Sequence, residues 1–114
     1  MRPKAKFARR QIRDSIEEMV RRIVEQFHPD RIILFGSHAK GTAQPDSDVD
    51  LLVVMPVKGS RLEKTIEIGV ALHDIGLPKD IIVTTPEDFD WRKNVVGTVE
   101  RPAAQEGTVL YARE

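Results

Sequence analysis

Three short runs of apolar residues constrain the fold of this chain more than any other feature. The runs are RIILFG from residue 31, DVDLLVVM from residue 48 and KDIIVTT from residue 79. Each run has the length of a buried strand and is rich in Ile, Val and Leu. Gly36 ends the first run and Pro56 follows the second, as expected where strands stop. The sequence therefore predicts a small β-sheet.

Helical patterns surround these strands. From about Arg9 to Phe27, apolar residues recur in steps of three and four, which places them on one stripe of a covering helix. A second helix is expected over about residues 60–75, because Ser60 and Glu63 form a capping-box pattern at its start. Shorter helices are expected at PEDFDW and near Pro102, and TVLY is expected as an edge strand. The element order is α-β-(turn)-β-α-β-α-β, which predicts a sheet with helices packed on it.

The composition limits the classes of protein that this chain can represent. Its 114 residues fit one domain over residues 1–114, with residues 1–8 expected as a flexible basic tail. The 18 basic and 18 acidic residues cancel, so we expect no direct nucleic-acid binding and no membrane binding. The chain has no cysteine, which excludes disulfides and thiolate metal sites and favours a cytoplasmic location.

Aspartates cluster at the start of the second and third predicted strands. Asp48 and Asp50 are separated by one residue, so their side chains are expected on the same side of the strand. Asp80 opens the third strand and reaches the same place if that strand pairs with the second. Oxygen ligands without histidine or thiolate favour a hard cation, above all Mg²⁺, and three such carboxylates suit a two-metal site. Asp46 is expected to be a turn aspartate instead.

A phosphate-binding element is predicted just before the aspartates. Gly36 and Ser37 follow the first strand, where backbone N–H groups at the start of a helical turn bind anions. The Ser37 hydroxyl offers a further donor, and His38 and Lys40 add positive charge. A phosphate cradle beside a metal site is typical of phosphoryl or nucleotidyl transfer.

The stretch GSHAKGTAQPDSDVDLLVV resembles the signature of the DNA polymerase β-like nucleotidyltransferase superfamily. Ten residues separate Ser37 from Asp48, as in that signature, and Asp80 matches its third carboxylate. In particular, the chain resembles the minimal nucleotidyltransferase (MNT) domain, whose usual ending is similar to EGTVLY in this sequence. One departure is His38, where many relatives have arginine. Lys40 still offers a charge, but without the bidentate geometry of arginine.

The resemblance implies an α+β fold, a small mixed sheet flanked by helices, with Mg²⁺ and a nucleoside triphosphate bound across the two motifs. It implies an antitoxin that transfers AMP from ATP to a tyrosine of a HEPN toxin and forms a hetero-oligomer with it. Asp48, Asp50 and Asp80 are then the catalytic and metal-binding residues, and Gly36, Ser37 and Lys40 bind the phosphates. Two alternatives stay open: a non-catalytic module that neutralises a HEPN partner by binding, and a nucleotidyltransferase acting on small molecules.

Overall fold

Five helices and four strands form within residues 8–44 and 46–114, which are the residues that the computed structural model describes. Of the predicted tail at residues 1–8, the described residues include only Ala8. Pro45 of the predicted turn also lies outside the described residues. In chain order the elements are α1 (Arg9–Phe27), β1 (Arg31–Phe35), α2 (Ser37–Lys40), β2 (Val49–Val54), α3 (Arg61–Ala71), β3 (Lys79–Thr84), α4 (Pro86–Arg92), α5 (Glu100–Glu106) and β4 (Thr108–Ala112).

The four strands form one mixed sheet in the order β3-β2-β1-β4. Strand β1 is antiparallel to both of its neighbours, β2 and β4, whereas β2 and β3 are parallel. A parallel pair needs a crossover connection, and α3 provides it between β2 and β3. The predicted α+β fold with a mixed sheet flanked by helices is confirmed.

The central strands β1 and β2 are buried on both faces over residues 32–35 and 51–54, which explains the apolar sequence of these segments. On one face, residues such as Leu34 and Leu51 pack against α1 and α3. On the other, Phe35 and Leu52 pack against α4 and α5. Because side chains alternate along a strand, Asp50 lies on the same face as Leu52, the face of α4 and α5.

Helix α1 begins and ends where the sequence predicts. Its apolar stripe buries Met19 and Ile23 completely against the sheet. His28 ends the helix with φ 51°, in the left-handed region, and its N–H donates to the carbonyl of Val24. Pro29 disfavours the right-handed helical conformation for His28, and the left-handed conformation that His28 adopts instead ends the helix.

Helix α3 is shorter than predicted, because it ends at Ala71 rather than near Ile75. The N–H of Leu72 is shared between the carbonyls of Ile68 and Gly69, which tightens the last turn. Leu72 is completely buried, and this tight turn directs the chain back toward β3. The opposite side of the helix exposes three aliphatic side chains: Leu62, Ile66 and Val70. Within residues 8–44 and 46–114, no helix has the length and apolar character needed to cross a membrane.

Candidate active site

The carboxylate of Asp50 packs directly against the backbone of Gly36. Asp50 pairs with Phe35 across β1 and β2, so the residue after Phe35 lies beside the aspartate side chain. A Cβ atom on Gly36 would overlap Oδ2 of Asp50 and lie 3.3 Å from its Cγ. Gly36 also has φ 76° and ψ −156°, a conformation that is essentially restricted to glycine. Glycine is therefore required at this position by both space and backbone geometry.

Asp80 lies beside Asp50 on the neighbouring strand. The parallel register of β2 and β3 pairs these two residues directly, which meets the condition that the sequence analysis set for Asp80. Asp48 immediately precedes β2 rather than lying within it, but its two-residue spacing from Asp50 still directs it toward the same side. Asp48 and Asp80 are exposed, whereas Asp50 is half-buried.

The charges of the aspartate cluster affect the pKa of Asp50. Burial raises the pKa of Asp50 above its ordinary value, and the negative charges of Asp80 and then Asp48 raise it further. The nearby His38 acts in the opposite direction on this pKa. A group of like charges around a half-buried carboxylate is a site where bound positive charge would be stabilising.

Ser37 begins α2 directly after Gly36, so the first turn of this helix adjoins Asp50. Its leading N–H groups have no acceptor within the helix, as at every helix start. Lys40, at the other end of α2, is exposed and pairs with Glu106 at 3.2 Å. In the conformation described, the ionic partner of Lys40 is thus Glu106 of α5 rather than an aspartate of the cluster. Sequence analysis missed this pair, although Glu106 belongs to the quoted ending EGTVLY.

His38 has a structural contact that the sequence did not reveal. Its Nε2 lies 3.1 Å from the carbonyl oxygen of Ser47, within hydrogen-bonding distance. The contact ties α2 to Ser47, the residue preceding Asp48. Asp46 is exposed in the same loop, as expected for a turn aspartate. Among residues 8–44 and 46–114, no group of three or more His, Asp or Glu side chains is arranged so that it could hold a metal ion.

Comparison with known proteins places the chain among nucleotide-transferring enzymes. A family model described as the nucleotidyltransferase domain matches residues 13–104. The chain is 34% identical over 82 residues to a candidate protein adenylyltransferase of Methanocaldococcus jannaschii. That alignment covers 71% of this chain and 77% of the archaeal protein.

Solved structures show the same fold. A candidate nucleotidyltransferase from Sulfolobus solfataricus superposes with a TM-score of 0.61 and 19% identity, covering 96% of this chain and 94% of the other. A complex of tri-AMPylated Shewanella oneidensis HEPN toxin with MNT antitoxin gives a TM-score of 0.50 at 14% identity. That match covers 89% of this chain and 72% of the compared chain. At these identities, the structural matches establish the fold.

Proposed function

Because this chain belongs to the nucleotidyltransferase domain family, we propose that it transfers AMP from ATP to a tyrosine hydroxyl of a HEPN-domain toxin, acting as the antitoxin. Two similar proteins support the choice of AMP as the transferred group and of a HEPN toxin as the acceptor. One is the archaeal candidate protein adenylyltransferase. The other is the solved complex that contains a tri-AMPylated HEPN toxin and an MNT antitoxin.

The observation that carries the proposal is the packing of Asp50 against Gly36, with Asp80 in register beside it. This arrangement joins a turn with free N–H groups to a set of carboxylates at one end of the sheet. A triphosphate needs hydrogen-bond donors and a cation together, and the two elements supply the donors and the cation ligands side by side.

The carboxylate set fits Mg²⁺. All three predicted ligands are oxygen donors. Burial raises the pKa of Asp50, and the negative charges of Asp80 and Asp48, which a cation would neutralise, raise it further. Asp48 and Asp50 would hold one ion, and Asp50 and Asp80 a second one. Bound Mg²⁺ would offset the charge of the triphosphate and stabilise the charge that develops during transfer.

In the proposed reaction, the tyrosine oxygen attacks the α-phosphorus of ATP, and the new O–P bond replaces the bond to pyrophosphate. Asp80 accepts the hydroxyl proton, since it is exposed and lies on the edge strand β3, where an acceptor can approach. The backbone of Gly36 and the hydroxyl of Ser37 donate hydrogen bonds to the departing phosphates. Lys40 contributes positive charge there once it leaves Glu106.

The proposal is tested by intact mass spectrometry of a HEPN-domain protein incubated with this chain, ATP and Mg²⁺. The protein encoded beside this chain is the first HEPN candidate to use. Asp48→Asn combined with Asp50→Asn removes two proposed ligands without changing side-chain size. Asp46→Asn is the matched control, because it changes an exposed aspartate of the same loop.

We expect the HEPN protein to gain one or more AMP units with the wild-type chain and with Asp46→Asn, and none with the double variant. If its mass stays unchanged while a complex forms and survives the double substitution, the catalytic proposal is wrong. The chain would then act as a module that neutralises its partner by binding alone.

A further inference from the structure

An open cleft of about 700 Å³ lies on the opposite face of the sheet from the aspartates. Its apolar floor consists of Ile12 and Ile16 of α1, Leu34 of β1 and Leu110 of β4. We call it the α1 cleft. Leu34 belongs to the core on the α1 face, whereas Asp50 lies on the face of α4 and α5, so the cleft is separate from the carboxylate cluster.

The cleft exists because α1 is longer than the strands that it covers. A helix of 19 residues spans roughly 28 Å, whereas the five residues of β1 span roughly 17 Å. Met19 and Ile23 of the C-terminal half are completely buried on the sheet. Ile12 and Ile16 of the N-terminal half are only partly buried, so apolar surface remains open where the helix extends beyond the sheet.

Two arginines give the cleft a cationic rim. Arg9 and Arg13 line it and are one helical turn apart on the same side of α1. Within the described part of the chain, neither has an ion-pair partner, whereas Arg21 and Arg22 of the same helix are both bound to acidic side chains. Glu17 also lines the cleft, and with one acid against two arginines the balance is positive.

We infer that the α1 cleft binds a segment of the acceptor protein in which apolar side chains are flanked by acidic residues. The volume accommodates several side chains, the floor matches apolar groups, and the rim complements carboxylates. This inference rests on the proposed function, because it supplies the docking site for the protein that receives AMP. It assigns recognition of the acceptor to one face of the sheet and chemistry to the other.

The cleft adjoins the active site through His38 of α2, which lines the cleft, and through the loop that follows α2. Ala43 and Gln44 form its wall, and the same loop continues to Ser47, which contacts His38, and to Asp48. A segment seated in the cleft is therefore held next to the loop that carries the first aspartate. This placement keeps the acceptor near the carboxylates without occupying them.

The charge pattern disfavours one other occupant. Residues 1–7 of the chain itself contain three cationic residues and no acidic residue, so they do not complement the rim. The other alternative is a second copy of the chain bound in the cleft. The experiment distinguishes it from the HEPN segment by measuring the oligomeric state.

The test uses the full-length chain, the same HEPN-domain protein and isothermal titration calorimetry without ATP. Arg9→Glu combined with Arg13→Glu reverses the charge of the rim. Arg10→Glu is the matched control, because Arg10 is an exposed arginine of the same helical turn that does not line the cleft. Ile16→Ser tests the apolar floor separately, with circular dichroism and thermal unfolding as checks on folding.

We expect the double variant to weaken HEPN binding by tenfold or more, and Arg10→Glu to change it by less than twofold. In the transfer assay the KM for the HEPN protein should rise in parallel, whereas the KM for ATP stays constant. Wild-type affinity in both the double variant and folded Ile16→Ser would overturn the cleft inference while leaving the proposed transfer intact.

Two further results are also decisive. A wild-type chain that binds the HEPN protein through the cleft but never transfers AMP would refute the proposed function and support the docking site. A wild-type dimer that the double variant dissociates, with HEPN affinity unchanged, would show that a second copy occupies the cleft and would overturn the inference.

Discussion

Replacing Gly36 by alanine tests whether the contact between this residue and Asp50 controls the site. The new Cβ would overlap Oδ2 of Asp50, so the carboxylate must rotate away or the strand end must shift. Rotation is the easier response, because the overlapped atom is the end of a side chain. We therefore expect a folded variant whose Asp50 carboxylate is displaced from the neighbourhood of Asp80.

The expected loss of stability in Gly36→Ala comes from backbone strain. Alanine at the φ and ψ of Gly36 is strained by about 1–3 kcal/mol, because that region is essentially limited to glycine. Gly41→Ala is the matched control: its φ is 77° at the other end of α2, and nothing lies within 4 Å of its new Cβ. Its left-handed conformation costs about 1–2 kcal/mol. Each variant should lower Tm by about 4 °C per kcal/mol.

The two variants should differ far more in function than in stability. A shift of about 1 Å in a positioned reacting group can reduce the rate roughly 100-fold. In Gly36→Ala we expect AMP transfer to fall roughly 100-fold and Mg²⁺-dependent ATP binding to weaken. Gly41→Ala should show neither change. Both assays are run well below the lower Tm, which is measured by thermal unfolding monitored by circular dichroism.

Equal transfer by Gly36→Ala and Gly41→Ala would refute this reasoning. Retained activity would mean that the position of the Asp50 carboxylate beside Gly36 does not matter for transfer. Parallel loss in both variants would mean that strain in α2, rather than the contact with Asp50, is responsible.

Three other substitutions probe electrostatics and packing. Asp50→Asn should abolish transfer yet raise stability at neutral pH, because a raised carboxyl pKa means that the ionised form is disfavoured by folding. The gain should disappear below the ordinary value of 3.8, and a pH series of urea unfolding curves would check it. Thr84→Val should cost about 1–3 kcal/mol in the same measurement, because it removes the 2.7 Å hydrogen bond to the buried carboxylate of Glu100. Gly107→Ala should lower Tm strongly, since its Cβ would overlap a backbone carbonyl of α5, and unchanged Tm would contradict that packing.

Local features of the fold could be predicted from the sequence. Helical periodicity identified α1 with its observed bounds, and the apolar runs identified β1, β2 and β3. The two-residue spacing of Asp48 and Asp50 predicts that their carboxylates share one side, and their roles stay predictions. The predictions of α1 and of the three strands succeeded because periodicity and the steric demands of glycine and proline act over a few residues.

Contacts between distant residues were decided only by the tertiary structure. The pairing of Asp50 with Asp80 depends on the register of two strands whose paired residues are thirty positions apart. The pair of Lys40 with Glu106 and the early end of α3 depend on how helices meet the sheet. The α1 cleft depends on a helix longer than its strands. Register and packing are set by the simultaneous burial of all elements. The sequence therefore determined the local structure and the chemistry of the side chains. The assembled sheet determined where those side chains lie.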